Sequence, residues 1–163
     1  MTKSELEKLL TEHGHSLSAF CYTISGNRDT AMEIFQEVCL RLMGKNVRIE
    51  NGAAAKAYLY RAALNVYRDF CRKKGRRELP AADADLAREY VGTVGVGDDE
   101  REEYAALYLA IAKLPLKYRE VIRLVYFRNV TESEAAGILG IPLGTVKSRL
   151  HKAKELLKEL LQK

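Results

Sequence analysis

Residues 130–161 read VTESEAAGILGIPLGTVKSRLHKAKELLKELL, and the order of turn-formers and apolar positions in this stretch decides the fold. Thr131 and Glu134 stand three apart ahead of an apolar run. That is the spacing of a capping box, in which hydroxyl and carboxylate each satisfy an orphan backbone N–H. The short helix they open carries Ala135, Ala136, Ile138 and Leu139 and stops at Gly140, a residue suited to the position just past a helix end. Ile141-Pro142 makes the turn, because proline disfavours helix at the residue before it. The next helix turns Val146, Leu150, Ala153 and Leu157 toward a core at three-four spacing. Left outward at its leading end are Thr145, Lys147, Ser148, Arg149, His151 and Lys152. A short capped helix, a glycine turn and a longer helix with a basic leading face describe a helix-turn-helix. Lys and Arg suit guanine edges and phosphates, and Ser pairs with either, so this face is a candidate reader of duplex DNA.

Working upstream, Leu114-Pro115 starts a helix through Tyr118, Val121, Ile122 and Val125. Before residue 104 the character of the chain changes. Residues 104–163 hold 11 Lys and Arg against 5 Asp and Glu, residues 76–103 hold 4 against 9, and residues 1–75 hold 12 against 8. Two basic segments therefore flank one acidic segment. That segment, with Pro80, an Ala/Asp run and Gly92, Gly95 and Gly97, reads as a flexible linker with a short helical turn near Leu86 to Tyr90. It serves either as a solvating tether or as an acidic strand occupying a channel used by nucleic acid. The expected architecture is all-α: a three-to-four-helix bundle in residues 1–75, an acidic linker in 76–103, and a helix-turn-helix domain in 104–163.

In the first segment, Leu6, Leu9, Leu10, His13, Leu17, Phe20, Cys21 and Ile24 follow one helix face, which Gly26-Asn27 breaks. A second helix from about Asp29 has Ala31, Ile34, Phe35, Val38 and Leu42 as its apolar stripe, with Glu33, Gln36, Glu37 and Arg41 on its other faces. Residues 44–55 form a loop with Gly44 and Gly52 in it. The third helix, Ala54 to Lys74, turns Leu59, Ala62, Ala63, Val66 and Phe70 to the core. Arg61, Asn65, Arg68 and Arg72, at offsets of four, seven and eleven, share one polar stripe. Asp69 is the only acid between Lys56 and Arg77. Tyr58, Tyr60 and Tyr67 are interleaved and offer flat faces on which unpaired bases can stack. Cations with aromatics and almost no acids favour nucleic acid over a merely solvated face.

Composition excludes other classes. Among 163 residues, 47% are apolar and 30% charged, the balance of a folded helical protein rather than a disordered one. No apolar run approaches the roughly 18–20 residues of a membrane span, and MTKSELEKLL carries acids where a signal peptide carries an apolar core. A cytoplasmic location is expected. Cys21, Cys39 and Cys71 are odd in number and far apart, and the three His complete no zinc spacing, so neither a disulfide framework nor a metal is expected. A Gly-rich phosphate loop, a Ser/His/Asp order and a paired carboxylate in an apolar setting are all missing, which speaks against an enzyme, a small-molecule substrate or a cofactor.

The residues resemble one family. YREVIRLVYFRNVTESEAAGILGIPLGTVKSRLHKAKELL is similar to region 4 of the bacterial extracytoplasmic-function sigma factors. GNRDTAMEIFQEVCLRL followed by AYLYRAALNVYRDFCRKKGRR resembles their region 2. The resemblance implies a promoter-specificity subunit that binds core RNA polymerase at its β′ clamp helices and β flap. It implies that Glu33, Gln36, Glu37, Leu40 and Arg41 dock on the clamp. It also implies that Lys56, Tyr58, Arg61, Asn65, Arg68 and Arg72 serve the −10 element, Arg61 and Asn65 as readers, with residues 44–56 capturing a flipped base. Thr145, Lys147, Ser148, Arg149, His151 and Lys152 would read the −35 element, the linker would thread toward the RNA path, and an anti-sigma factor would hold the chain in reserve. The family's acidic D-A-E-D run corresponds here to Thr30, Ala31, Met32 and Glu33, which weakens its charge, and Tyr58 stands where the family usually has Trp. A sigma mimic that sequesters an anti-sigma protein, and a stand-alone helix-turn-helix regulator, are the alternatives.

Overall fold

The computed structural model describes residues 2–45, 52–74, 101–128 and 130–162. It is all-helical in those residues and divides into two compact units, the first holding the described residues up to Lys74 and the second most of those from Arg101 on.

The first unit packs α1 (Lys3–Ser25), α2 (Arg28–Met43) and α3 (Gly52–Lys74) against one another as a three-helix bundle. A capping box starts α1: Thr2 Oγ1 accepts from the Glu5 N–H at 3.2 Å, and Glu5 Oε2 accepts from the Thr2 N–H at 2.9 Å. Gly26, at φ 69°, ends it in the left-handed region where a Cβ is penalised. Asn27 then caps α2, its Oδ1 accepting from the Thr30 N–H at 3.0 Å. The core is Leu6, Leu9, Leu17, Phe20, Cys21 and Ile24 from α1, Ala31, Ile34, Val38 and Leu42 from α2, and Leu59, Ala63, Leu64 and Val66 from α3. Phe35, Ala62 and Phe70, expected in the core, are only half-buried. Burial pushes the Cys21 thiol up to about 12, with a smaller contribution from Cys39, so it behaves as a small hydrophobe.

The second unit contains α4 (Arg101–Ala112), α5 (Leu116–Ile122), α6 (Glu132–Leu139) and α7 (Leu143–Leu161), with α4 and α5 both packed on α7. Its first described helix covers Arg101–Ala112. The helix expected from Leu114-Pro115 through Val125 is regular only to Ile122 and continues as a π-helical segment, Arg123–Phe127. The Arg128 N–H reaching the Arg123 carbonyl at 3.2 Å is the wider i→i−5 bond that defines this widening. Thr131 and Glu134 form the expected capping box: Oγ1 accepts from the Glu134 N–H at 3.1 Å and Oε1 from the Thr131 N–H at 3.4 Å. Gly140 sits at φ 70°, as its place after α6 requires. Val146, Leu150, Ala153 and Leu157 are all buried, as the three-four spacing predicted. The linker, its helical turn and residues 46–51 of the expected loop lie outside the described residues, while residues 52–56, expected in that loop, already belong to α3.

Candidate nucleic-acid interface

On α3, at about 100° per residue, the buried Ala55, Leu59, Tyr60, Ala63, Leu64, Val66 and Tyr67 take up about half the circumference. Arg61, Asn65, Arg68 and Arg72 lie on the other half as one stripe; Arg61, Asn65 and Arg72 are exposed and Arg68 is half-buried. Lys56 is exposed but does not join the stripe. It stands one turn ahead of Tyr60, with Nζ 5.6 Å from the Tyr60 ring centroid.

The tyrosines divide. Tyr60 is 1% exposed and Tyr67 3%, so neither offers a face to a base; that expectation is corrected. Their azimuths fall on the buried half of α3, where a ring gains more from packing than from solvent. Tyr60 stacks on Phe20 with centroids 4.1 Å apart and planes 4° from parallel. Its hydroxyl is 2.6 Å from Ser16 Oγ, which satisfies the one polar atom it brings inside. Tyr58, beside the stripe, is half-buried and is the one of the three with surface to spare.

One carboxylate organises the C-terminal part of the stripe. Asp69 Oδ1 accepts from Arg72 Nη2, and Oδ2 accepts from Arg41 Nη2 of α2 at 3.1 Å. Arg41 also donates through Nε to Glu37 Oε1 at 3.1 Å. Hydrogen bonds from Arg41 and then Arg72 hold the Asp69 carboxyl below the usual carboxylate range.

The candidate docking residues on α2 separate by azimuth. Glu33, Gln36 and Leu40 are exposed, while Glu37 and Arg41 are half-buried beside α3. Two residues missed in the sequence complete the outer face: Met32 and Met43 are 62% and 50% exposed, and with Leu40 they form one apolar strip along which Gln36 also lies. Their offsets of four, eight and eleven from Met32 were the available signal, since they lie outside the Ala31-Ile34-Val38-Leu42 stripe.

On α7 the buried stripe is narrow and the candidate set mostly clears it. Lys147, Ser148, His151 and Lys152 are exposed, whereas Thr145 and Arg149 flank the core half-buried. The Ser148 hydroxyl donates to the Thr145 carbonyl at 3.2 Å. Glu155, not anticipated, sits on the same face: His151 Nε2 is 3.1 Å from its Oε1 and Lys152 Nζ 3.9 Å from its Oε2. On the same helix the Lys154 ammonium lies 5.3 Å from the Tyr126 ring centroid, and a hydrogen bond to the Tyr126 hydroxyl raises its pKa. Among the described residues, no group of three or more His, Cys, Asp or Glu is placed to hold a metal, and no helix is long and apolar enough to cross a membrane.

Comparison with known proteins adds a second line of support. Residues 9–77 match the family model for sigma-70 region 2, and residues 104–157 match that for sigma-70 region 4. The chain is 35% identical over 147 residues to the extracytoplasmic-function RNA polymerase sigma factor EcfG of Rhodopseudomonas palustris, covering 90% of this chain and 79% of that one. It is 34% identical to the sigma factor SigW of Bacillus subtilis, covering 87% and 81%. Among solved structures it is similar to the sigma factor RpoE of Bartonella quintana in complex with the anti-sigma factor NepR. That match has a TM-score of 0.65 and 26% identity, over 98% of this chain and 96% of that one.

Proposed function

The chain belongs to the extracytoplasmic-function group of the sigma-70 family, which directs transcription initiation, and from that premise we propose how its two units share the work. The first unit docks on core RNA polymerase through the outer face of α2 and opens the −10 element with α3. The second reads the −35 element as duplex with the leading end of α7.

The observation that carries this division is that α3 leaves Arg61 and Asn65 exposed on a helix whose other half is core, while α2 of the same bundle leaves Met32, Leu40 and Met43 uncovered. Apolar residues exposed along one helix face suit a protein partner. Charged and amide side chains on a rigid helix suit bases and phosphates. One small unit thus carries both surfaces, and strand capture happens where the polymerase is held.

Opening DNA requires taking bases out of the stack, at about a few kcal/mol each. A protein that spends no nucleotide must recover that from tighter binding to the single strand than to the duplex. With Tyr60 and Tyr67 in the core, Tyr58 is the stacking face beside the stripe, and Arg61 and Asn65 supply hydrogen bonds to bases or backbone. On α7, Lys147 and Lys152 hold phosphates, and Ser148 and His151 stand where base edges pass. That arrangement fixes register on the duplex before opening.

The relative of known structure is held by an anti-sigma factor. A partner of that class fits this chain as well, because the apolar strip on α2 is available to whichever protein reaches it first. The test is run-off transcription with purified core polymerase and a promoter pool, with and without the chain. Protein-dependent transcripts that share upstream −10 and −35 elements are expected. Core binding without transcripts would favour the mimic, and neither would favour a stand-alone regulator.

A further inference from the structure

Arg72 is the last cation of the α3 stripe, and its guanidinium is already engaged by Asp69 Oδ1. The second oxygen of the same carboxylate is held by Arg41 across the seam between α2 and α3. The two partners differ in setting. The Arg72 side chain is 77% exposed and that of Arg41 37%, with the Asp69 side chain at 29%. One carboxylate therefore has one partner rooted in the seam and one lying mostly in water. It is also the only acid on a stretch otherwise stocked with cations.

We propose that Asp69 is a positioning residue that stands in for a DNA phosphate, holding Arg72 in the free protein and surrendering it to the single-stranded backbone during promoter opening. The proposal rests on the reading above that the α3 stripe carries promoter DNA. Carboxylate and phosphate accept the same planar guanidinium fork, so the exchange leaves the donors of Arg72 satisfied. Asp69 is not stranded when Arg72 leaves, because Arg41 remains on Oδ2 and the seam keeps a paired charge. An exposed ion pair is screened by salt and weak, whereas a phosphate contact also releases condensed counterions. The strand is therefore the stronger claimant. Until it arrives, the stripe presents one cation fewer to duplex and to other polyanions.

The test uses holoenzyme, assembled from core polymerase and the full chain, and a labelled single-stranded oligonucleotide carrying the −10 sequence of a promoter it transcribes. Affinity is measured across a salt series. Asp69→Asn should tighten binding about threefold to tenfold with a log–log salt slope near native, because Arg72 reaches the same phosphate in both chains, whereas Arg72→Ala should lower the slope by about 0.7, one phosphate contact on single strands. Arg72→Ala should weaken the native chain about twofold and the Asp69→Asn chain about tenfold, because only in the second is Arg72 already released. Native affinity in Asp69→Asn, an unchanged slope in Arg72→Ala, or a tightening that survives in Asp69→Asn/Arg72→Ala overturns the proposal. Arg61→Ala is the separate check on the underlying reading: native affinity there removes the α3 stripe from the DNA path, whatever Asp69 and Arg72 do. Should Asp69→Asn fail to fold, the native holoenzyme decides by modification with phenylglyoxal, read by peptide mass spectrometry. The oligonucleotide should protect Arg72 and leave the Arg41 rate as it was; equal Arg72 rates with and without DNA overturn the proposal.

Discussion

The two candidate reading helices, α3 and α7, are of similar length and similarly basic, yet they bury very different fractions of their circumference. On α7 the buried Val146, Leu150, Ala153 and Leu157 span about one sixth of the turn, and on α3 the buried residues span about half. The reason is position in the fold: α3 is flanked by both α1 and α2 in a small bundle. On α7, folding and the proposed reading use separate residues. On α3 they compete for the same arc, and Tyr60 and Tyr67 went to the core. The outward side chains of α7 are thus free to vary, whereas the first unit has few positions to change without loosening itself.

The largest effect expected from that difference is at Tyr60. Tyr60→Ala removes the ring stacked on Phe20 and leaves Ser16 without its partner, which should destabilise the first unit by about 3–5 kcal/mol, the range for large buried aromatics. Amide NMR spectra should then show signals from the first unit collapsing while those of residues 130–162 persist. A folded first unit with impaired DNA opening would instead return Tyr60 to the interface and erase the contrast. Next comes the pair Arg61→Ala with Asn65→Ala. Open-complex formation should be lost, at about 1–3 kcal/mol per base contact removed, while core polymerase binding and thermal stability stay native. Loss of core binding would mean that α3 docks rather than reads.

On α7 the expected effects are smaller and cleaner. Lys147→Ala should weaken promoter binding and lower the salt slope by about 0.9, one phosphate on duplex DNA, with an unaltered melting temperature. An unchanged slope would exclude a phosphate contact there. Thr131→Ala removes the cap of α6 and should cost about 1 kcal/mol in thermal unfolding of the second unit. A neutral result would show that α6 is held by packing alone.

The same contrast explains what could be read from the sequence. The cap at Thr131 and Glu134, the stop at Gly140 and the stripe of α7 are local: each depends on residues within a turn or two, so spacing reveals them. The fate of Tyr60 and Tyr67 depends on α1 and α2 arriving beside α3, and no spacing within α3 encodes that. Phe20 faces Tyr60 from 40 positions away in the chain. Met32 and Met43 were passed over for the converse reason. They lie off the apolar stripe of α2, and the packing of α2 leaves them uncovered. The π-helical turn at Arg123–Phe127 has no periodic signature, because the apolar positions on either side of it still fit a regular helix.

The smallest effect, and the one that sharpens the comparison most, concerns acid. Asp69 is the point where the shared surface of α3 joins α2, and its folded-state carboxyl is held below its ordinary value by Arg41 and Arg72. The unfolded chain therefore binds a proton that the folded chain does not in the window between the two pKa values. The contribution is present above the ordinary Asp value, about 3.9, and is lost as pH falls through the lower folded value. Stability of the first unit should accordingly decline on acidification below about pH 5, where the unfolded chain begins to take up that proton. Asp69→Asn should flatten that limb without changing its shape near neutrality, because its charge no longer titrates. Lys147→Ala has no such carboxylate to relieve and should leave the limb as it is. Following unfolding at several acidic pH values separates the cases. If Asp69→Asn retains the full acid slope, the tie between α2 and α3 is carried by apolar contacts, and the first unit holds its two surfaces together by packing alone.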